Sequence, residues 1–134
     1  MDDSKFTKLL DGILNQFELV DRLQSDYLEL ISKFIVPCLT ELALFTKEES
    51  QRKQINKLLC LKSRSKESEI RLVSVLALKE IYKRVGEPML TFFPETIPFI
   101  AELMEDEELE DATQDLCLVI QDHLGEPIQQ YFSQ

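Results

Sequence analysis

The chain has no tryptophan, a single histidine and three glycines. Leu, Ile, Glu and Lys dominate instead, a balance that favours helix over sheet. No stretch alternates apolar and polar residues in the period-two pattern of a half-buried strand. No apolar run reaches the roughly 20 residues that a membrane-spanning helix needs. The N-terminus, MDDSKFTKLL, is acidic and has no apolar h-region, so it does not read as a secretory signal. Motifs for chemistry are missing too. There is no Cys-x-x-Cys, His-x-x-x-His, Gly-x-Ser-x-Gly or phosphate loop. The three cysteines, Cys38, Cys60 and Cys117, are odd in number, far apart and set among apolar neighbours. They read as reduced, buried thiols in an intracellular compartment. The expectation is a soluble, non-enzymatic chain with no cofactor, no metal and no small-molecule substrate.

The remaining features are helices and unevenly placed charge. At 134 residues the chain is one domain's worth, long enough to bury a core without disulfide or metal. The net charge of −10 is an average over three unlike parts. Residues 1–45 carry four Lys/Arg against eight Asp/Glu, and residues 46–84 carry eleven against five. Residues 85–134 carry twelve Asp/Glu and no Lys or Arg. A basic middle and a wholly acidic end can steer partners of opposite sign to opposite parts of one surface.

Helical spacing recurs along the chain. Asp2, Asp3 and Ser4 offer N-caps to a helix carrying Phe6, Leu9, Leu10, Ile13, Leu14 and Phe17. Ser25 or Asp26 can cap a second, whose stripe is Tyr27, Leu28, Ile31, Phe34, Ile35, Leu39 and Leu42. Pro37 lies inside that stripe and predicts a kink or a split. Ile55, Leu58 and Leu59 anchor a third helix, and 63–68 reads as loop and cap. The next has Ile70, Val73, Leu76, Ala77 and Ile81 on one face, widened by Val75 and Leu78, and so is expected to be buried on more than one side. Gly86 stops it and Pro88 blocks continuation. Thr96 is read as the cap of the following helix, with Pro98 in its first turn. A last helix runs from Asp111 to Gly125. The sum is six or seven helices and no strand.

Two internal matches point to a repeat. At an offset of 39, Val85-Gly-Glu-Pro-Met89 lies over Leu124-Gly-Glu-Pro-Ile128, with Ile81 over Ile120. At another offset, Ile35–Ala43 lies over Thr96–Met104, placing Pro37 on Pro98. Helix pairs with a period near forty are the mark of HEAT or armadillo arrays, in which neighbouring pairs stack because none can bury its apolar face alone. The fold class is therefore all-α, a HEAT/armadillo-like α-solenoid of antiparallel helix pairs, with 1–134 as one domain.

The stretch FFPETIPFIAELMEDEELED, followed by HLGEPIQQYF, resembles the C-terminal end of the large nucleolar HEAT-repeat protein of the small-subunit processome, the Utp-ten, U-three-snoRNA-associated type. Pro94–Asp106 and Leu124–Tyr131 carry the likeness, KSRSKESEIRLVSVLALKEIYKRVGE and IVPCLTELAL extend it, and the first thirty residues fit loosely. The resemblance implies a C-terminal piece of a much longer repeat chain. It further implies a non-catalytic nuclear and nucleolar scaffold acting in pre-rRNA transcription and processing, among the protein subunits of a large ribonucleoprotein, with pre-rRNA or snoRNA backbone as a further contact. This chain departs from the family in having no basic residue in its last helix. The alternative is a HEAT-repeat adaptor that binds peptides in another pathway, such as transport.

Two charged stretches are the candidate surfaces. Lys53, Lys57, Lys62, Arg64, Lys66 and Arg71 form the most electropositive part, suited to RNA phosphates or an acidic partner. No aromatic residue is interleaved, so base stacking is not expected. Ser63, Ser65 and Ser68 lie there as phosphorylation candidates that would reverse the charge. Glu105, Asp106, Glu107, Glu108, Glu110 and Asp111 suit a basic partner, and they lack the Asp/Asn alternation and glycine of a calcium loop. His123 sits near a helix end, where it complements the negative C-terminal pole.

Overall fold

The structure is a computed structural model that describes residues 2–132. Six long helices fill it, and no strand occurs among the described residues. The first, α1 (Asp3–Asn15), starts where the Asp2 carboxylate accepts the Lys5 amide at 2.8 Å. Short turns over Gln16–Glu18, Val20–Leu23 and Gln24–Asp26 lead to α2, which runs from 27 to 45. Asp26, one of the two caps offered by the sequence, precedes α2 but makes no side-chain capping bond.

The disturbance expected at Pro37 lies just upstream of it. α2 is α-helical over Tyr27–Leu30, widens to a π turn over Ile31–Ile35 and resumes as α-helix over Val36–Phe45. Pro37 has no N–H for the carbonyl one turn back, and its ring crowds that carbonyl. The wide turn absorbs both effects, so the helix continues without a break.

The chain then forms α3 (Glu49–Lys62), α4 (Ser68–Val85), α5 (Phe93–Leu103) and α6 (Glu110–Leu124). Helices α2, α4 and α6 pack side by side in one row, and α1, α3 and α5 in a second. Each pair, α1 with α2, α3 with α4 and α5 with α6, bridges the rows. This is an α-solenoid of three stacked helix pairs. Helix α4 lies in the middle and buries Ile70, Val73, Val75, Ala77, Leu78 and Ile81, as its widened apolar face predicted; Leu76, read as part of that face, is only half-buried, and Tyr82, not read there, is buried as well.

The two Gly-Glu-Pro segments play the same part, each closing a helix through a glycine at positive φ. Gly86, at φ 79°, closes α4 with its N–H donated to the Tyr82 carbonyl at 3.0 Å. A 3-10 helix over Glu87–Phe92 follows and buries Met89. Gly125, at φ 74°, closes α6 with its N–H donated to the Gln121 carbonyl at 2.9 Å. A 3-10 helix over Ile128–Tyr131 follows and buries Ile128. Phe93, which opens α5, meets Tyr131 edge to face at 5.2 Å.

The second sequence match does not survive in three dimensions. Pro37 belongs to α2 and Pro98 to α5, which lie in different rows. Pro98 is not in a first turn either. Helix α5 begins at Phe93 with Pro94 in that place, leaving Pro98 inside the helix. Thr96 is likewise interior and fully buried, its hydroxyl donating to the Phe92 carbonyl at 2.9 Å.

Candidate functional site

The basic candidates fall along α3, in the connection 63–67 and in the first turn of α4. Four of the six are already engaged within the chain. Lys53 pairs with Glu95 at 3.3 Å and Lys62 with Glu18. Arg64 grips Glu102 with two bonds, at 2.8 and 2.9 Å, and its guanidinium lies 4.0 Å over the Phe99 ring. Hydrogen bonding between the two holds the Glu102 carboxyl below its ordinary range and raises Arg64 above its own. Lys57 and Lys66 are exposed and make no ion pair among the described residues.

Arg71 joins the two candidate surfaces. Its guanidinium donates to Asp106 at 3.1 Å and to the carbonyls of Ser65 and Lys66 at 3.0 and 3.1 Å. One side chain therefore fastens the α3–α4 connection to the α5–α6 connection. Asp106 answers from its side by accepting the Glu108 amide at 3.0 Å, which starts the 3-10 turn Glu107–Leu109. Basic and acidic stretches read as separate surfaces are thus neighbours in the fold. The remaining carboxylates, Glu105, Glu107, Glu108, Glu110 and Asp111, are exposed and have no cationic partner among the described residues. Glu107, Glu108, Glu110 and Asp111 lie at or near the positive pole of α6.

Two expectations about single residues change. Cys38 is exposed, while Cys60 and Cys117 are buried as expected. Burial pushes the Cys60 thiol up to about 12 and the Cys117 thiol up to about 11. Ser63 is buried, with its hydroxyl on the Cys60 carbonyl at 2.6 Å, whereas Ser65 and Ser68 are half-buried. His123 stands in the last turn of α6, as placed from sequence, and leans on Gly86.

A buried polar cluster escaped the sequence reading. Tyr82 Oη lies 3.1 Å from both Asn56 Oδ1 and Thr96 Oγ1, and Asn56 Nδ2 donates to Thr96 Oγ1 at 2.9 Å. It ties α3, α4 and α5 together. Burial raises the Tyr82 phenol well above its ordinary range. Asn56 sits beside Ile55 on the buried side of α3, the one signal that it is not a surface residue. Among the described residues no cluster of three or more His, Cys, Asp or Glu could hold a metal ion, and no helix is long and apolar enough to cross a membrane.

Rows of paired helices, tied by ion pairs from one connection to the next, define a HEAT-type helical repeat domain. No protein-family model matches the chain. Relatives do match. The chain is 36% identical over 127 residues to the HEAT repeat-containing protein 1 homolog of Dictyostelium discoideum, and 35% identical over 126 to HEAT repeat-containing protein 1 of Danio rerio. It is 33% identical over 125 residues to the U3 small nucleolar RNA-associated protein 10 of Schizosaccharomyces pombe. These alignments cover 92–93% of this chain but only 6–7% of each relative. The resemblance found in the sequence holds: the chain is similar over most of its length to a short part of very large HEAT-repeat proteins.

Proposed function

We propose that the chain is a non-catalytic scaffold segment of the small-subunit processome, acting in pre-rRNA transcription and processing in the nucleolus. It corresponds to the C-terminal end of a much longer HEAT-repeat protein. The observation that carries this reading is the 33–36% identity over most of the chain to relatives named for HEAT repeats or for association with U3 small nucleolar RNA. A stacked helical fold with charged connections supports it, since such a surface holds protein subunits of a large ribonucleoprotein without needing a reaction centre. RNA backbone is a secondary contact. Of the six candidates, Lys57 and Lys66 have no ion pair among the described residues and can meet phosphates directly, while Lys53, Lys62, Arg64 and Arg71 would first have to leave their carboxylates.

Depletion of the protein, with precursor and mature rRNA followed by hybridisation, tests the scaffold role. The expected result is loss of small-subunit rRNA with its precursor accumulating. Unchanged rRNA would support the adaptor reading instead. Binding of a pre-rRNA fragment at graded salt tests the contact. The variant Lys57→Glu with Lys66→Glu is expected to flatten the log–log salt slope by about one per lost phosphate.

A further inference from the structure

The outer side of α6 carries an open groove of about 390 Å³. Met104, Thr113, Cys117, Leu118, Gln121 and Ile128 line it. Leu118 is 56% exposed and Met104 44%, large apolar side chains on a face that nothing among the described residues covers. Thr113 is 1% exposed, and its hydroxyl has no hydrogen-bond partner among the described residues. A buried hydroxyl beside an open groove is costly unless something completes it.

The repeat shows what kind of object is missing. At the offset of 39, Thr113, Gln114, Cys117 and Gln121 on α6 fall over Ser74, Val75, Leu78 and Tyr82 on α4. All four α4 residues are buried, in a helix that has a row neighbour on either side. Ser74 also has its partner, the Ile70 carbonyl at 2.7 Å. On α4 this face is closed by helices, and on α6 the matching positions border the groove. The groove is therefore shaped for one more helix in the row.

Charge says which helix. From residue 85 onward the chain has no Lys or Arg. Glu110 lines one part of the groove, and Asp122 and Glu126 line an adjoining depression that shares Gln121. We propose that this groove docks an amphipathic helix of a partner protein, with aliphatic residues over Cys117 and Leu118 and Lys or Arg along its flanks. Aliphatic anchors would fill the apolar floor, and the flanking cations would face carboxylates that have no counter-ion among the described residues. The inference goes beyond the scaffold reading, because it names the partner's chemistry and involves no RNA.

The test uses the 134-residue chain and two synthetic helices of about twenty residues, one amphipathic in Leu and Lys, the other with Glu for every Lys. Fluorescence anisotropy is expected to show the Leu/Lys helix binding, and the Leu/Glu helix weaker by about tenfold or more. Leu118→Arg is expected to weaken the Leu/Lys helix by about tenfold or more, whereas Leu61→Arg, at an exposed leucine elsewhere, leaves it unchanged. Amide shifts on binding are expected between Thr113 and Gln121, and circular dichroism checks that both variants fold. Equal binding by wild type and Leu118→Arg would overturn the proposal. So would a dimer in sedimentation that Leu118→Arg abolishes, since a second copy would then own the groove.

Discussion

His123 lies against Gly86, so that a methyl group built on the glycine would stand 3.5 Å from the imidazole Cε1. That distance is an ordinary contact, and the space could accept a side chain. The backbone could not. With φ 79° and ψ −135°, Gly86 occupies ground that L-residues avoid. Gly125, at φ 74° and ψ 14°, is left-handed helical, which asparagine tolerates. Gly86→Asn is expected to cost about 1–3 kcal/mol and Gly125→Asn well under 1. Urea unfolding of both variants checks it, and equal costs would contradict the distinction.

The Tyr82–Asn56–Thr96 cluster should behave as a unit. Tyr82→Phe removes one hydroxyl and strands Asn56 Oδ1, at a cost of about 1–3 kcal/mol. Once Asn56 is also replaced by alanine, adding Tyr82→Phe should cost much less. A double-mutant cycle by chemical denaturation measures the coupling, and strict additivity would refute it.

Stability should fall on the alkaline side, and Cys60 is one reason. Its folded pKa of about 12 lies above the ordinary 9.0 that the unfolded thiol keeps. Below pH 9 both states hold the proton and the thiol's contribution is complete. Between 9 and 12 only the unfolded state releases it, which drains stability as pH rises, by at most about 1.4 kcal/mol per pH unit. Cys60→Ala should therefore show a shallower decline in urea midpoint from pH 9 to 10.5 than wild type, whatever its starting stability.

Arginine at position 71 should resist conservative replacement. It serves three acceptors on two connections, a geometry that suits a planar fork and not a single ammonium. Arg71→Lys is expected to cost about 1–2 kcal/mol, whereas the more exposed Arg64→Lys should cost under about 1. Hydrogen exchange adds a local test. Arg71→Lys should speed exchange in both 63–67 and 104–109, and acceleration in neither would show that the staple is idle.

Periodicity and punctuation made the helices readable. Apolar spacing located α1 to α6, and each glycine at 86 and 125 marked a real end because positive φ demands it. Proline was harder. Pro37 and Pro98 look alike in sequence, yet they sit in different rows, and both lie inside continuous helices. A start signal and a tolerated interruption share one spelling, and only packing separates them. Thr96 misled for a similar reason. Threonine before a helical run suits a cap, but here its hydroxyl bonds back one turn within the helix. The charged surfaces were visible as composition, while their pairing was not. Arg71 finds Asp106 across 35 residues and Lys62 finds Glu18 across 44, separations that no local pattern encodes.

The buried cluster at Tyr82 also fixes alignment along the helix axes. Apolar stripes are nearly self-similar after one turn, so sliding α5 by about 5.4 Å along α3 would still set apolar groups against apolar groups. It would not return Thr96 to Asn56. Three polar groups in an oily seam thus work like a keyed joint, allowing the stack to flex around that point while forbidding it to slip.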